Sequence, residues 1–324
     1  MQLKSNISFD NTAIAFESKS TDELKKNNFL FSVVKNPIMS DLATGSVKFA
    51  LKIGLPVKSI IKKTVFQLFC GGETIDECQK TIRELSDFGI GTILDYSVEG
   101  GVDEESFDQT KTELLKTIEV AKNADDIPFC VFKVTGIAST PLLQKIQEGK
   151  ALNDSEKAAY ERVKSRVDDI CKKAYNYGVP ILIDAEETWI QDPIDEMARD
   201  MMARYNKEKA IVYNTFQMYR VDMLANLKKA FHNATMHSYY LGAKLVRGAY
   251  MEKERERAQE MGYPSPIQPN KEAADNDFNG AISFCIDNKQ RISIVCGSHN
   301  EYSNYYLALL MEKHSMPNND PRVL

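Results

Sequence analysis

The distribution of apolar residues changes character near residue 64. Beyond that point short, near-continuous apolar runs alternate with stretches whose apolar positions recur every three or four residues. The runs are Val65–Phe69, Gly91–Leu94, Pro128–Val134, Val179–Ile183, Ala210–Tyr213, Ala243–Val246 and Ile292–Val295. They are rich in Val, Ile, Leu and Phe without strict alternation, which predicts strands buried on both faces, as in a parallel sheet. Between them the period is helical. In Ser155–Gly178 the positions Tyr160, Val163, Val167, Ile170, Cys171 and Ala174 form one stripe. Gly178 closes that pattern as a left-handed cap, and Pro180 follows. In Thr74–Phe88 the stripe is Ile75, Cys78, Ile82 and Leu85, with Thr74 and Glu77 at the spacing of a capping box and Gly89 at the end. The last helical pattern is Tyr302–Lys313.

Seven strand–helix units follow one another in this way. Parallel strands joined by helices build either an open doubly wound sheet or a closed barrel. The nearest approach to a G-x-G-x-x-G turn, Cys70-Gly71-Gly72-Glu73, lacks the third glycine, which lowers the doubly wound reading. The expected fold is therefore α/β, a (β/α)₈ TIM-like barrel over residues 61–324, incomplete here at seven units. Residues 1–60 precede it as an N-terminal helical arm, in which Phe29–Val34 and Val47–Leu55 predict short helices. The closing stretch Asn318-Asn319-Asp320-Pro321-Arg322-Val323-Leu324 reads as the loop entering an eighth strand, and truncation is the simplest account of the missing unit.

Composition narrows the function classes. With 43% hydrophobic and 27% charged residues, the chain can bury a sizeable core. Its 41 basic and 46 acidic residues give a net charge of −5 with no basic concentration, which argues against nucleic acid as a partner. No apolar run reaches the ~18 residues needed to cross a bilayer. Met1–Lys26, with Asp10, Glu17, Asp22 and Glu23, is neither a signal nor a transit peptide. The six cysteines are single, with no CxxC pair, so no metal site is expected of them. A reduced, cytoplasmic compartment is the expectation.

Barrel enzymes place their active sites where strands end, so the residues leaving each run are the candidates. They are Asp95-Tyr96-Ser97, Lys133-Val134-Thr135-Gly136, Asp184-Ala185-Glu186-Glu187, Asn214-Thr215-Phe216-Gln217, Arg247-Gly248-Ala249-Tyr250 and Ser298-His299-Asn300. Each has a bland alternative. Lys133 can pair with a neighbouring carboxylate, Asp184 and Glu186 can cap the following helix, His299 can be structural, and Tyr250 can be packing. Six polar rims in register weigh more than any single member. No nucleophile elbow or H-E-x-x-H is present, whereas cations beside a Gly-Ala step suit an anionic cofactor such as a dinucleotide.

These motifs resemble those of proline dehydrogenases. Lys244-Leu245-Val246-Arg247-Gly248-Ala249-Tyr250 is similar to that family's sixth-strand signature. So are Lys133, Asp184-Ala185-Glu186, Gln217-Met218-Tyr219, Ser298-His299-Asn300, and Gly262-Tyr263-Pro264 with Lys271 and Asp275, all in consistent order from about residue 60 onward. The resemblance implies a barrel holding FAD non-covalently and oxidising L-proline to Δ¹-pyrroline-5-carboxylate. Electrons would leave to a quinone, with peripheral membrane association, and a separate pyrroline-5-carboxylate dehydrogenase would act downstream. By the same resemblance Gln217, Lys244, Val246, Arg247, Gly248, Lys271, Ser298, His299 and Asn300 bind the cofactor. Lys244 would lie near flavin N5, Arg247 near the pyrophosphate and Gln217 near the pyrimidine edge of the ring, while Lys271 and residues 298–300 would hold the ribose and adenine. Lys133, Asp184 and Tyr250 would line the proline pocket. Two departures stand out. Lysine occupies position 244, where some branches have arginine. The family's Tyr-x-x-Arg-Arg-x-x-Glu pattern, whose arginines clamp the substrate carboxylate, does not occur, so the 324-residue chain alone is expected to bind proline poorly. The alternatives are hydroxyproline as substrate, a Lys133 Schiff-base aldolase, and a scaffold barrel without chemistry.

Overall fold

The computed structural model describes residues 7–36, 70–96 and 103–324, together with residues 45, 52, 62 and 66. These fall into two compact units, Ser8–Thr92 and Ile93–Leu324. In the first, α1 (Thr12–Ala15), α2 (Thr21–Lys35) and α3 (Ile75–Ser86) are the helices of at least four residues among the described residues. Phe29–Val34 lies inside α2, whose start carries a full capping box from Ser20 and Glu23. The helix expected at Val47–Leu55 lies outside the described residues apart from Lys52. The strand expected at Val65–Phe69 lies outside them too, apart from Phe66. That residue is helical, its carbonyl accepting the Cys70 N–H at 2.8 Å. The capping box expected on α3 is half formed. Thr74 accepts the Glu77 N–H, but the Glu77 carboxylate takes the N–H of Glu73 and the ammonium of Lys62 instead of reaching back to Thr74. A charge-assisted partner outcompetes a neutral one.

The second unit alternates strands and helices. In chain order these are β1 (Ile93–Asp95), α4 (Glu104–Ala121), β2 (Phe129–Lys133), α5 (Thr140–Gln147), α6 (Asp154–Tyr177), β3 (Ile181–Asp184) and α7 (Thr188–Tyr205). Then come β4 (Val212–Gln217), α8 (Met223–Met236), β5 (Leu241–Val246), α9 (Met251–Met261), α10 (Lys271–Asp287), β6 (Ile292–Gly297) and α11 (Glu301–Lys313). All six strands are parallel and pair in simple sequence order. A doubly wound sheet reverses its order at a switch point; a sheet that always advances in one direction curls into a barrel wall. After β6, Arg322–Leu324 continue that advance. Ile294 N–H bonds Arg322 O and Cys296 N–H bonds Leu324 O, both at 2.7 Å, with Ile294 and Val323 paired in parallel. The closing stretch therefore makes an isolated parallel bridge beside β6.

Side chains alternate across each strand, and both sides are apolar for most of its length. Outward residues such as Cys130, Phe132, Ile181, Ile183, Val212, Ala243, Leu245 and Ile294 are buried under helices. Inward residues Phe129, Val131, Leu182 and Tyr213 form the barrel core, with Tyr240 and Val295 against it. Gly242 has no room for a side chain there, since an added Cβ would lie 2.4 Å from the Val212 carbonyl and 2.7 Å from the Tyr213 ring. The helix over Ser155–Gly178 is realised as α6, ended by Gly178 at φ +70°.

One buried polar residue joins three elements. Asn206, fully buried at the end of α7, accepts the N–H groups of Ile211 and Val212 and donates to the carbonyls of Val212 and Tyr240, all at 2.8–2.9 Å. Every hydrogen-bonding position of the amide is used to start β4 and β5. Asn206→Ala is expected to lower the free energy of unfolding by about 3 kcal/mol, because four backbone groups lose their partner without access to water. Urea denaturation of the two proteins measures it.

Candidate active site

The alternation that builds the core also builds the site. Lys133 pairs in register with Asp184, Ile183 with Asn214, Thr215 with Lys244, and Lys244 with Val295. Lys133, Asp184, Thr215, Lys244 and Val295 therefore stand at one level around the inner wall. They lie two residues above the Val131–Leu182–Tyr213 layer, and Gln217, Val246 and Gly297 form the next level up. Above the apolar layers the inward positions become charged and a cleft of about 630 Å³ opens. Gln217 and Asp184 are the last residues of their strands and Asn214–Gln217 lies within β4, so these groups are carried on the strands themselves and not on the loops beyond.

All twelve residues singled out in the sequence line this one cleft: Lys133, Asp184, Gln217, Lys244, Val246, Arg247, Gly248, Tyr250, Lys271, Ser298, His299 and Asn300. Its floor is one carboxylate between two ammonium groups. Asp184 Oδ1 lies 2.6 Å from Lys244 Nζ and Oδ2 lies 3.9 Å from Lys133 Nζ, with side chains only 17–20% exposed. Thr215 Oγ1 donates to the Ile183 carbonyl at 2.8 Å and lies 3.3 Å from Asp184 Oδ1. Asp184 is thus a counter-ion and not a helix cap. The N-cap of α7 is Glu187, whose side chain makes no capping bond.

A second cationic cluster follows β5. Arg247 donates to Asp275 (2.6 Å), Ser298 (2.7 Å) and Ser303 (3.0 Å), and its guanidinium lies 4.4 Å from the centroid of the Phe278 ring. Three of its five N–H donors are engaged among the described residues. Lys271 also bonds Asp275. Burial alone would raise the Asp275 carboxyl, but these two cations more than offset it and hold it below its ordinary range. Gly248 is at φ +133°, and a Cβ there would come within 2.5 Å of the Tyr219 ring, so only glycine allows this backbone path. Asn300 caps α11 through the Ser303 N–H, and the Ser298 hydroxyl accepts the Asn300 N–H.

Behind the cleft Glu186, 2% exposed, accepts the Thr135 N–H at 3.0 Å and the Thr135 hydroxyl. Its own carbonyl takes the Gln217 Nε2 bond at 2.7 Å, and its N–H goes to Gln191. Glu186 therefore does not cap the helix either; it fixes Thr135 beside Lys133 and fixes the orientation of Gln217. Burial pushes its carboxyl up to about 7, although the Thr135 bonds and the Lys133 charge pull the other way. Thr215 stands among the strand-exit residues of the sequence without a role, which inward parity two residues before Gln217 supplies, and the structural part of Glu186 is signalled by no local pattern.

A protein-family model described as proline dehydrogenase matches residues 78–323. The chain is 32% identical over 252 residues to the carbapenem antibiotics biosynthesis protein CarD of Pectobacterium carotovorum subsp. carotovorum, covering 78% of this chain and 65% of that protein. It is 29% identical over 357 residues to mitochondrial proline dehydrogenase 1 of Dictyostelium discoideum, covering 96% of this chain and 62% of that one. This chain thus spans just under two thirds of the length of either relative. Among solved structures, proline utilization A from Bdellovibrio bacteriovorus inactivated by N-propargylglycine superposes with a TM-score of 0.70 at 19% identity, over 82% of this chain and 29% of that one. At that identity the likeness is one of fold.

The Glu186 carboxyl makes stability depend on pH. Its folded value of about 7 exceeds the ordinary 4.5, so the native state holds the proton more tightly. The contribution is full below pH 4.5 and is lost as pH rises to about 7, a change of roughly 3 kcal/mol. Glu186→Gln, which mimics the protonated form, is expected to remove this part of the pH dependence and to exceed the parent in stability at pH 8. Denaturant midpoints from pH 4.5 to 8 check it.

Proposed function

The chain belongs to the proline dehydrogenase family, and on that premise we propose that it binds FAD in the strand-end cleft and oxidises L-proline to Δ¹-pyrroline-5-carboxylate. The observation that supports this most is the level of Lys133, Asp184 and Lys244 directly beside the Arg247–Gly248 turn. An anionic amino acid and an anionic dinucleotide would both find cations at the rim of one apolar barrel, with a glycine where backbone must approach a ring.

The residues present fit such a cofactor. Gly248 lines the cleft with bare backbone on its open side, two Arg247 N–H groups have no partner among the described residues, and Gln217, Ser298 and Asn300 add polar groups at the edge of the cleft. When bound, FAD would supply the acceptor for the hydride lost from the ring carbon beside the proline nitrogen. The residues of this chain then have assigned tasks. Lys244 and Arg247 hold negative charge on the ring and on the pyrophosphate, and Gln217 orients the pyrimidine edge. Val246 and Gly248 form the surface beneath. Lys271, Ser298, His299 and Asn300 hold the ribose and adenine. Lys133 attracts the substrate carboxylate, while Asp184 keeps both ammonium groups in place and Tyr250 closes the pocket wall. A cationic surround aimed at developing negative charge lowers the cost of hydride acceptance. Quinone reduction at a membrane surface, with a separate dehydrogenase consuming the product in the cytoplasm, completes the proposal. This part is supported by the family resemblance alone.

Anaerobic visible spectroscopy tests the reading. We expect a bound-flavin band near ~450 nm that L-proline bleaches when the chain is extended by a family C-terminal segment carrying the paired-arginine helix. Bleaching by hydroxyproline instead of proline would move the substrate. Absence of flavin from both the chain and its extension would overturn the proposal and favour borohydride trapping on Lys133. In the active protein, Asp184→Asn is expected to lower kcat/KM for proline by roughly 100-fold, because two ammonium groups lose their common counter-ion. Steady-state kinetics at fixed ionic strength measures it.

A further inference from the structure

Three consecutive residues at the start of α7 interlock with the first turns of α9. Glu187 pairs with Lys253. Thr188 gives both its N–H and its hydroxyl to the carboxylate of Glu254, each at 2.6 Å. Trp189 lies beneath two cations, with Arg257 at 4.4 Å and Lys253 at 5.5 Å from its ring centroid. Helix starts normally receive their acceptor from their own N-cap residue. Here the cap residue Glu187 makes no such bond, and the N–H is satisfied from 66 positions further along the chain. Glu254 is completely buried, and a carboxylate in that position depends heavily on the donors it has.

The placement of this clamp matters because of what lies between its anchors. The Arg247–Tyr250 turn is pinned at its front end by the continuation of β4: Met218 and Tyr219 donate their N–H groups to the Val246 and Arg247 carbonyls at 2.7 Å, and the Tyr219 ring presses on Gly248. At its rear end Tyr250 is the N-cap of α9, and its own side chain makes no capping bond to the helix. Its carbonyl takes the Glu254 N–H at 2.9 Å, and Glu254 in turn is fixed to Thr188. The exits of β3 and β5 are thereby held at a set separation across the exit of β4.

We propose that Glu254 and Thr188 form a positioning pair that sets the conformation of the Arg247–Tyr250 turn and, through it, the affinity of the cleft for the dinucleotide. This rests on the flavin reading above. Neither residue lines the cleft, so their influence is exerted through the turn. The test compares the flavin-loaded protein with Thr188→Val, Thr188→Ser and Glu254→Gln. The dissociation constant is read from the fluorescence of flavin released on dilution, the environment of the bound ring from visible circular dichroism, and global stability from thermal melting. Thr188→Val keeps the N–H bond and removes only the hydroxyl, so it provides a folded variant even if Glu254→Gln does not fold. We expect Thr188→Val to weaken flavin binding roughly tenfold and to change the visible dichroism, as loss of one charge-assisted hydrogen bond would if it fell on the bound form. Thr188→Ser should restore both. A parent-like dissociation constant and dichroism in Thr188→Val, whatever the melting temperature, would overturn the positioning role while leaving the flavin reading intact. A parent protein that binds no flavin would overturn both.

Discussion

The arrangement turns on a single carboxylate placed inside a barrel wall. Asp184 stands where the inward alternation of β3 leaves the apolar core, with Lys133 and Lys244 at the same level on either side. Three charged groups at about one-fifth exposure are tolerable because they neutralise one another in part, with the Thr215 hydroxyl a polar neighbour of Asp184. The apolar layer of Val131, Leu182 and Tyr213 below prevents water from reaching the trio from underneath.

From that floor the rim is built by hydrogen bonds that cross between strand exits. Glu186 ties the end of β2 to the end of β4 through Thr135 and Gln217. Arg247 ties the end of β5 to α10 and to the loop after β6 through Asp275, Ser298 and Ser303. Glu254 ties the beginning of α9 to the beginning of α7. Each of these groups spends its hydrogen-bonding capacity on a neighbour two or more segments away, so the strand exits constrain one another around the cleft. Buried polar networks of this kind are costly when incomplete, which is a reason for the rim to hold one geometry.

The sequence determined a good deal. Near-continuous apolar runs separated by amphipathic stretches dictated parallel strands covered by helices, and glycine and threonine at the ends of Thr74–Phe88 and Ser155–Gly178 marked real helix boundaries. The family resemblance carried by the motifs also pointed to twelve residues that line one cleft, and for Lys133, Asp184, Gln217, Lys244 and Val246, which lie on strands, side-chain parity is a local property that survives folding. Strand ends were less legible: β4 runs to Gln217, four residues past the apolar run at Ala210–Tyr213, because inward polar side chains at 215 and 217 break the pattern without breaking the pairing. What only the tertiary structure decided is which partner each polar group takes. Asp184 and Glu186 each had helix capping as an alternative, yet one became the counter-ion of a lysine 60 positions away and the other the anchor of Thr135. Local chemistry fixes what a carboxylate can accept, but the donor nearest to it is set by strand register and helix docking, and these bring together residues whose spacing along the chain carries no trace of the contact.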